Sequence, residues 1–71
     1  MYFQEYRIHL INGHVIKAAE DCNIPDEKRL LSRFKASHAD GFISIGSVDS
    51  SRAVIPVRNI LYISTGNVVN W

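Results

Sequence analysis

The sequence has few of the features that commonly stabilise a very small domain. Its 71 residues include one cysteine, Cys22, so no disulfide can form within a single chain. No Cys-x-x-Cys pair or comparable Cys/His spacing offers a closed zinc site. A chain of this length holds one domain, residues 1–71, and buries only about 60% of its unfolded surface. We therefore expect extra stability from self-association, as a homo-oligomer.

Long apolar runs and a strong excess of one charge are also absent. No stretch is apolar enough to cross a bilayer, and no basic start leads into an apolar segment typical of a signal peptide. We expect a cytoplasmic location and no membrane partner. Eight Lys/Arg and seven Asp/Glu give a formal charge of +1, which lacks the strong basic excess of a dedicated nucleic-acid binder. A local basic patch would still bind phosphate groups.

Motifs for catalysis and for metal binding are missing as well. The sequence has no Gly-x-Ser-x-Gly elbow, no glycine-rich phosphate loop and no paired carboxylates at a catalytic spacing. His9 and His14 are diagonal neighbours on one face of the hairpin predicted below, but a third ligand is not evident. Ordinary surface or interface histidines account for them better. We predict a protein that is not an enzyme and uses no metal or cofactor.

What is present near the start is a hairpin pattern. Apolar and polar residues alternate from Tyr6 to Leu10, which is typical of a half-buried strand. Asn12 and Gly13 follow, and this pair favours the positive φ angles of a type I′ turn. With the pair at the turn centre, Leu10 faces Val15. One predicted face then carries Tyr6, Ile8, Leu10 and Val15, and the other carries Arg7, His9, Ile11, His14 and Ile16. The second face is too apolar for plain solvent surface, so we expect both faces to be covered.

A helix from Pro25 to Ser37 is predicted next. Proline is tolerated in the first turn of a helix, and acidic residues precede basic ones in the order that the helix dipole favours. Gly41 is predicted to end this helix by adopting a left-handed backbone conformation. The apolar stripe of this helix is Leu30, Leu31 and Phe34.

The remaining chain reads as strands separated by turns. Strands are predicted at 42–47, with Ile43 and Ile45 on one face, at 53–57 and at 60–63, with turns at 48–51 and 65–67. Pro56 cannot donate a ladder hydrogen bond and should lie at an edge or a bulge. The predicted fold is α+β and mainly β. It is a small Sm-like or SH3-like barrel of about five strands, with one helix inserted between the second and third strands.

Two segments resemble the motifs of the Sm-like family, which includes bacterial Hfq. Arg7 to Ile16 resembles the first Sm motif, in which a strand runs into an Asn-Gly turn and a bent second strand. Ile55 to Ile63 resembles the second, with a basic residue in a tight turn before the last strand. The resemblance implies a ring-forming, RNA-binding barrel. This sequence departs from the family at two points. Sm proteins carry their helix before the first strand, whereas the helix predicted here lies in the middle of the chain. The glycine or histidine that the family has in the last turn is absent at Arg58 and Asn59.

Basic residues supply the candidate binding surface. A charged side chain in the turn before a buried strand is either paired with a carboxylate or presented at a rim, and the Sm resemblance favours the rim for Arg58. For the helix residues, a solvated face that complements the helix dipole is the better account. We predict a non-catalytic module that binds RNA or DNA, and the alternative is a small regulator or inhibitor of a protein partner. The candidate residues are Arg58, Asn59, Arg29, Arg33 and Lys28.

Overall fold

The computed structural model describes residues 1–46 and 52–70. The described chain is mostly strand, with five strands and one α-helix between the second and third, as predicted. Two short 3-10 turns, 26–28 and 57–59, precede the helix and the last strand. The elements are β1 (Tyr2–Leu10), β2 (Val15–Asp21), α1 (Leu30–Ala36), β3 (Phe42–Gly46), β4 (Arg52–Pro56) and β5 (Ile60–Asn70).

The strands form two antiparallel sheets. One has the order β2-β1-β5, and the other is the β3-β4 pair. β2 contacts β3, but within the described residues the ladders make two sheets rather than a closed barrel. Pro56 is the last residue of β4, an edge position that needs no ladder donor.

The core lies between the two sheets and the helix. Ile8 of β1 has no exposed surface, and Leu30 at the start of α1 is 2% exposed. Leu31 and Phe34 are only partly buried against this core, so Leu30 anchors the helix. The buried set comprises Tyr6, Ile8, Ala18, Leu30, Ile43, Ile45, Ile55 and Ile60.

The predicted hairpin register is wrong by one residue. Ile8 pairs with Ile16, and Leu10 donates its N–H to the carbonyl oxygen of His14 at 2.8 Å. The connecting loop therefore has three residues and ends at Gly13, whose φ is +89°. A turn followed by a left-handed glycine is the usual form of such a loop. The positive φ of Gly13 was predicted correctly. The shift of one residue exchanges the two faces of the second hairpin strand. Ile16 therefore packs inward, and Val15 is exposed.

The continuous helix predicted from Pro25 to Ser37 is also wrong. The chain is extended at Arg29, with φ −73° and ψ 155°, and α1 begins only at Leu30. The reason is a tertiary acceptor, because the Leu30 N–H donates to the Glu20 carboxylate at 3.0 Å. The predicted left-handed Gly41 is likewise wrong, since Gly13 is the one glycine with positive φ in the described chain.

The last strand continues through the turn predicted at 65–67. Gly66 and Asn67 together oppose Glu5, which is the arrangement of a β-bulge. A Cβ at position 66 would lie 3.4 Å from the Glu5 Cβ, so glycine permits this close pairing. Ile43 and Ile45 face the core from β3 as predicted, and the turn predicted at 48–51 lies outside the described residues.

Candidate functional site

The outer face of the three-stranded sheet carries an exposed set of aromatic and basic side chains. Tyr6 and Ile8 of β1 point into the core, so Arg7 and His9 point outward. His9 pairs with Val15 on one side and with Tyr62 on the other. We call this surface the sheet platform. It consists of Arg7, His9, Val15, Lys17, Tyr62 and Ser64.

A stacked ring pair forms the centre of the sheet platform. The ring centroids of His9 and Tyr62 are 4.0 Å apart, and the ring planes differ by 14°. Ser64 Oγ lies 3.2 Å from His9 Nε2, within hydrogen-bond distance, and fixes the imidazole. Tyr62 is still 51% exposed. The pair is therefore a preorganised aromatic surface that remains open to a ligand.

Two cations lie beside the stacked rings. Arg7 pairs directly with Lys17 across the β1-β2 ladder, and both are exposed. Like charges in this position repel each other and destabilise the sheet. Neither makes an ion pair within residues 1–46 and 52–70. Glu5 lies two positions before Arg7 in β1, and it too makes no ion pair with either cation. The repulsion would be relieved by an anionic ligand.

Among the residues predicted from the sequence, Arg29 has a structural role. Its side chain donates through Nε to the Ile24 carbonyl oxygen at 3.1 Å and through Nη2 to the Cys22 carbonyl oxygen. It also lies 3.5 Å from the Asp26 carboxylate. These bonds hold the segment between β2 and α1, where the chain would otherwise have unpaired carbonyl groups.

Arg33 reaches from the helix to the second sheet. Its Nε donates to the Lys28 carbonyl oxygen at 3.1 Å, and its Nη1 donates to the Ser44 carbonyl oxygen at 2.8 Å. Lys28 itself is exposed at the end of the first 3-10 turn. Arg33 is thus fixed in place, unlike a solvated surface arginine.

Arg58 and Asn59 lie in the second 3-10 turn, before β5. Arg58 makes an ion pair of 3.5 Å with Asp40, and both side chains are largely exposed. The Asn59 carbonyl oxygen accepts the Ile11 N–H at 2.9 Å, which ties this turn to the hairpin loop. Arg58 therefore makes its ion pair with Asp40, outside the helix.

A second concave feature, which we call the basic cleft, lies between β2, α1 and β3. Its volume is about 430 Å³, and its lining includes three cations, Lys28, Arg33 and Arg52. Tyr6 and Glu20 also line it, and the Tyr6 hydroxyl donates to the Glu20 carboxylate at 2.8 Å. Burial, and then this bond to an acidic acceptor, raises the pKa of Tyr6 to about 12.

Sequence reasoning identified Lys28 and Arg33 of the basic cleft but missed Arg52 and the sheet platform. Tyr62 is distant in sequence from His9, and Arg52 is distant from Lys28 and Arg33. Only the folding of the strands brings each residue next to these neighbours. The one available signal was the alternation in β1, which puts Arg7 and His9 on one face.

The candidate histidine pair does not form. His14 lies opposite Leu10 in the hairpin, whereas His9 points to the other face of the sheet. In the described part of the chain, no group of three or more His, Cys, Asp or Glu side chains could hold a metal ion.

Comparison with protein-family models, curated proteins and solved structures finds no significant match. No described helix combines the length and the apolar character needed to cross a bilayer.

Proposed function

We propose that this protein is a non-catalytic module that binds single-stranded RNA or DNA on the sheet platform. The observation that carries this proposal is the stacked His9–Tyr62 pair beside two cations, Arg7 and Lys17, that make no ion pair within the described residues. Proteins that bind single strands combine aromatic side chains, on which bases stack, with basic residues that follow the phosphates. Every base has a π face, so this recognition tolerates different sequences.

The strand arrangement supports an Sm-like or SH3-like barrel. β1 pairs with both β2 and β5, β3 pairs with β4, and β2 contacts β3. A ladder between β2 and β3 would join the two sheets. The barrel is proposed on this arrangement together with the sequence resemblance.

Self-association is proposed from the edge of the last strand. β5 spans residues 60–70 and pairs with β1 along one side. Leu61 and Val68 are 65% and 57% exposed on this long strand. An apolar strand with an open edge favours pairing with a second chain, so we propose a homo-oligomer.

Arg58, Asn59 and Lys28 remain predicted contacts of the nucleic acid. Arg58 and Lys28 are exposed, and the partner of Arg58, Asp40, is a weak competitor because an exposed ion pair contributes little. A phosphate would replace that contact at low cost. Arg33 stays a predicted contact through its exposed guanidinium, and Arg29 through the part of its side chain that is accessible.

A protein partner is the second candidate function. Phe42 and Val54 are 68% and 65% exposed on the outer face of the β3-β4 pair. Val54 pairs with Ser44, so it is a diagonal neighbour of Phe42. Two large apolar side chains together on a small sheet suit a protein interface better than a phosphate backbone.

The proposal is tested by fluorescence anisotropy with labelled oligouridylate and oligoadenylate at low salt. Stacking contributes about 1–3 kcal/mol per base, so Tyr62→Leu should weaken binding by about fivefold or more. Tyr2→Leu is the matched control, since Tyr2 is also an exposed tyrosine but lies away from His9, at the far end of β1. Absence of binding by the unmodified protein at low salt would overturn the proposal and leave the protein-partner function.

A further inference from the structure

We propose that the basic cleft is a second ligand site, separate from the sheet platform, that binds a small phosphomonoester carried on a ring. A nucleoside monophosphate is the representative of this class. The phosphate would lie between Lys28, Arg33 and Arg52, and the ring would lie against the apolar wall of the cleft. This site uses none of the residues of the sheet platform.

The three cations of the lining come from three different elements. Lys28 ends a 3-10 turn, Arg33 lies in α1, and Arg52 begins β4. None of the three makes an ion pair within the described residues. A phosphate provides the acceptors that these donors need. Arg52 is able to bind it through two parallel N–H groups, and Arg33 through its Nη2 group.

Arg33 is held ready for such a ligand. Its Nε and Nη1 groups are bonded to the carbonyl oxygens of Lys28 and Ser44. No acceptor in residues 1–46 or 52–70 takes the two N–H groups of Nη2. A guanidinium fixed in this way loses little conformational freedom when it binds an anion.

The wall of the cleft is suited to a ring rather than to a bare ion. Its apolar lining residues include Phe3, Tyr6, Ile24 and Ile45, and of these Phe3 and Ile24 are partly exposed. Its volume of about 430 Å³ falls in the range typical of small-molecule sites, about 300–1,000 Å³. An inorganic phosphate would leave this apolar surface in water, whereas a planar ring would cover it.

The two carboxylates in the lining are already engaged. Glu20 accepts bonds from the Tyr6 hydroxyl and the Leu30 N–H, and Asp21 Oδ1 accepts the Asn23 N–H at 2.9 Å. They face three cations, so the cleft keeps an excess of positive charge. Their remaining lone pairs favour a ligand whose ring carries an N–H donor, as the bases of nucleotides do.

The test is an NMR titration of the ¹⁵N-labelled protein with AMP, adenosine and inorganic phosphate. We expect AMP to shift the amide signals of the cleft, and we expect adenosine and phosphate each to bind at least about tenfold more weakly, since each supplies half of the contacts. Equal binding of AMP and phosphate would overturn the proposal, as would the absence of shifts at millimolar AMP.

Variants distinguish AMP binding in the basic cleft from AMP binding elsewhere on the protein. Arg52→Gln combined with Lys28→Gln should weaken AMP binding about tenfold or more, because both side chains are exposed and neither supports the fold. Lys35→Gln is the matched control, an exposed helix cation outside the cleft lining. Tyr62→Leu should leave AMP binding at the cleft unchanged, so failure at the sheet platform is distinguishable. Unchanged AMP affinity in the double variant would overturn the proposal.

Discussion

The carboxylate of Glu20 accepts the backbone N–H of Leu30 at 3.0 Å, across ten positions of the chain. Glu20 therefore caps a helix that lacks a capping side chain at its own N-terminus, where Arg29 makes no such bond. The same carboxylate accepts the Tyr6 hydroxyl at 2.8 Å. One side chain thus joins β2, β1 and α1.

Glu20→Ala removes both bonds and should destabilise the fold by about 2 kcal/mol, through a lost helix cap and an unsatisfied hydroxyl. Glu20→Gln keeps an acceptor oxygen and should lose clearly less. Urea unfolding followed by circular dichroism measures both values. Equal stability of the alanine variant and the unmodified protein would contradict the capping role.

The raised pKa of Tyr6 predicts a loss of stability in alkali. Its pKa rises from 10.0 to about 12 in the folded state, so the unfolded chain releases this proton more readily than the fold does. The contribution is fully present below pH 10 and is lost as the pH rises from about 10 to 12. Ultraviolet titration of tyrosinate should show a late step, near pH 12, that disappears in Tyr6→Phe. A titration curve that is unchanged apart from its amplitude would contradict the assignment.

We expect substitutions of Gly13 to destabilise the fold because of its backbone conformation alone. A Cβ at this position would meet nothing within 4 Å, yet φ is +89°. Gly13→Val should therefore cost about 1–2 kcal/mol or more from conformational strain. Gly13→Asn is the control, because asparagine tolerates the left-handed region and should cost less. Thermal unfolding compares the two, and identical losses would contradict the strain at this position.

The open edge of β5 predicts the behaviour of an assembly variant. Leu61 is 65% exposed and lies at an irregularity of the ladder, between Ile60, which pairs with Leu10, and Tyr62, which pairs with His9. Leu61→Lys puts a charge on this edge and should dissociate the proposed homo-oligomer without unfolding the chain. Light scattering and circular dichroism of the same samples separate these effects. A monomeric unmodified protein at tens of micromolar would contradict self-association.

The parts of the fold that depend on local patterns were predictable from the sequence. Alternation identified β1 and β3, and Gly13 was correctly expected at positive φ. The hairpin register was missed because it depends on whether the loop has two residues or three, and the Asn12-Gly13 pair suits both.

The parts that depend on distant contacts were not predictable. The break at Arg29 exists because Glu20 supplies an acceptor from another element. The sheet platform needs the pairing of β1 with β5, which brings His9 next to Tyr62. No local sequence pattern specifies such a pairing. Where tertiary contacts and local secondary-structure propensity conflict, the tertiary contacts decide the structure.

The salt dependence of single-strand affinity tests the central claim most directly. The logarithm of the binding constant should fall linearly with the logarithm of salt concentration, with a slope of roughly −0.7 for each phosphate contacted. Arg7→Gln combined with Lys17→Gln removes two such contacts, so the slope for oligouridylate should become less steep by about 1.4, whereas Lys35→Gln should leave it unchanged. Identical slopes for the unmodified protein and the double variant would contradict nucleic-acid binding on the sheet platform.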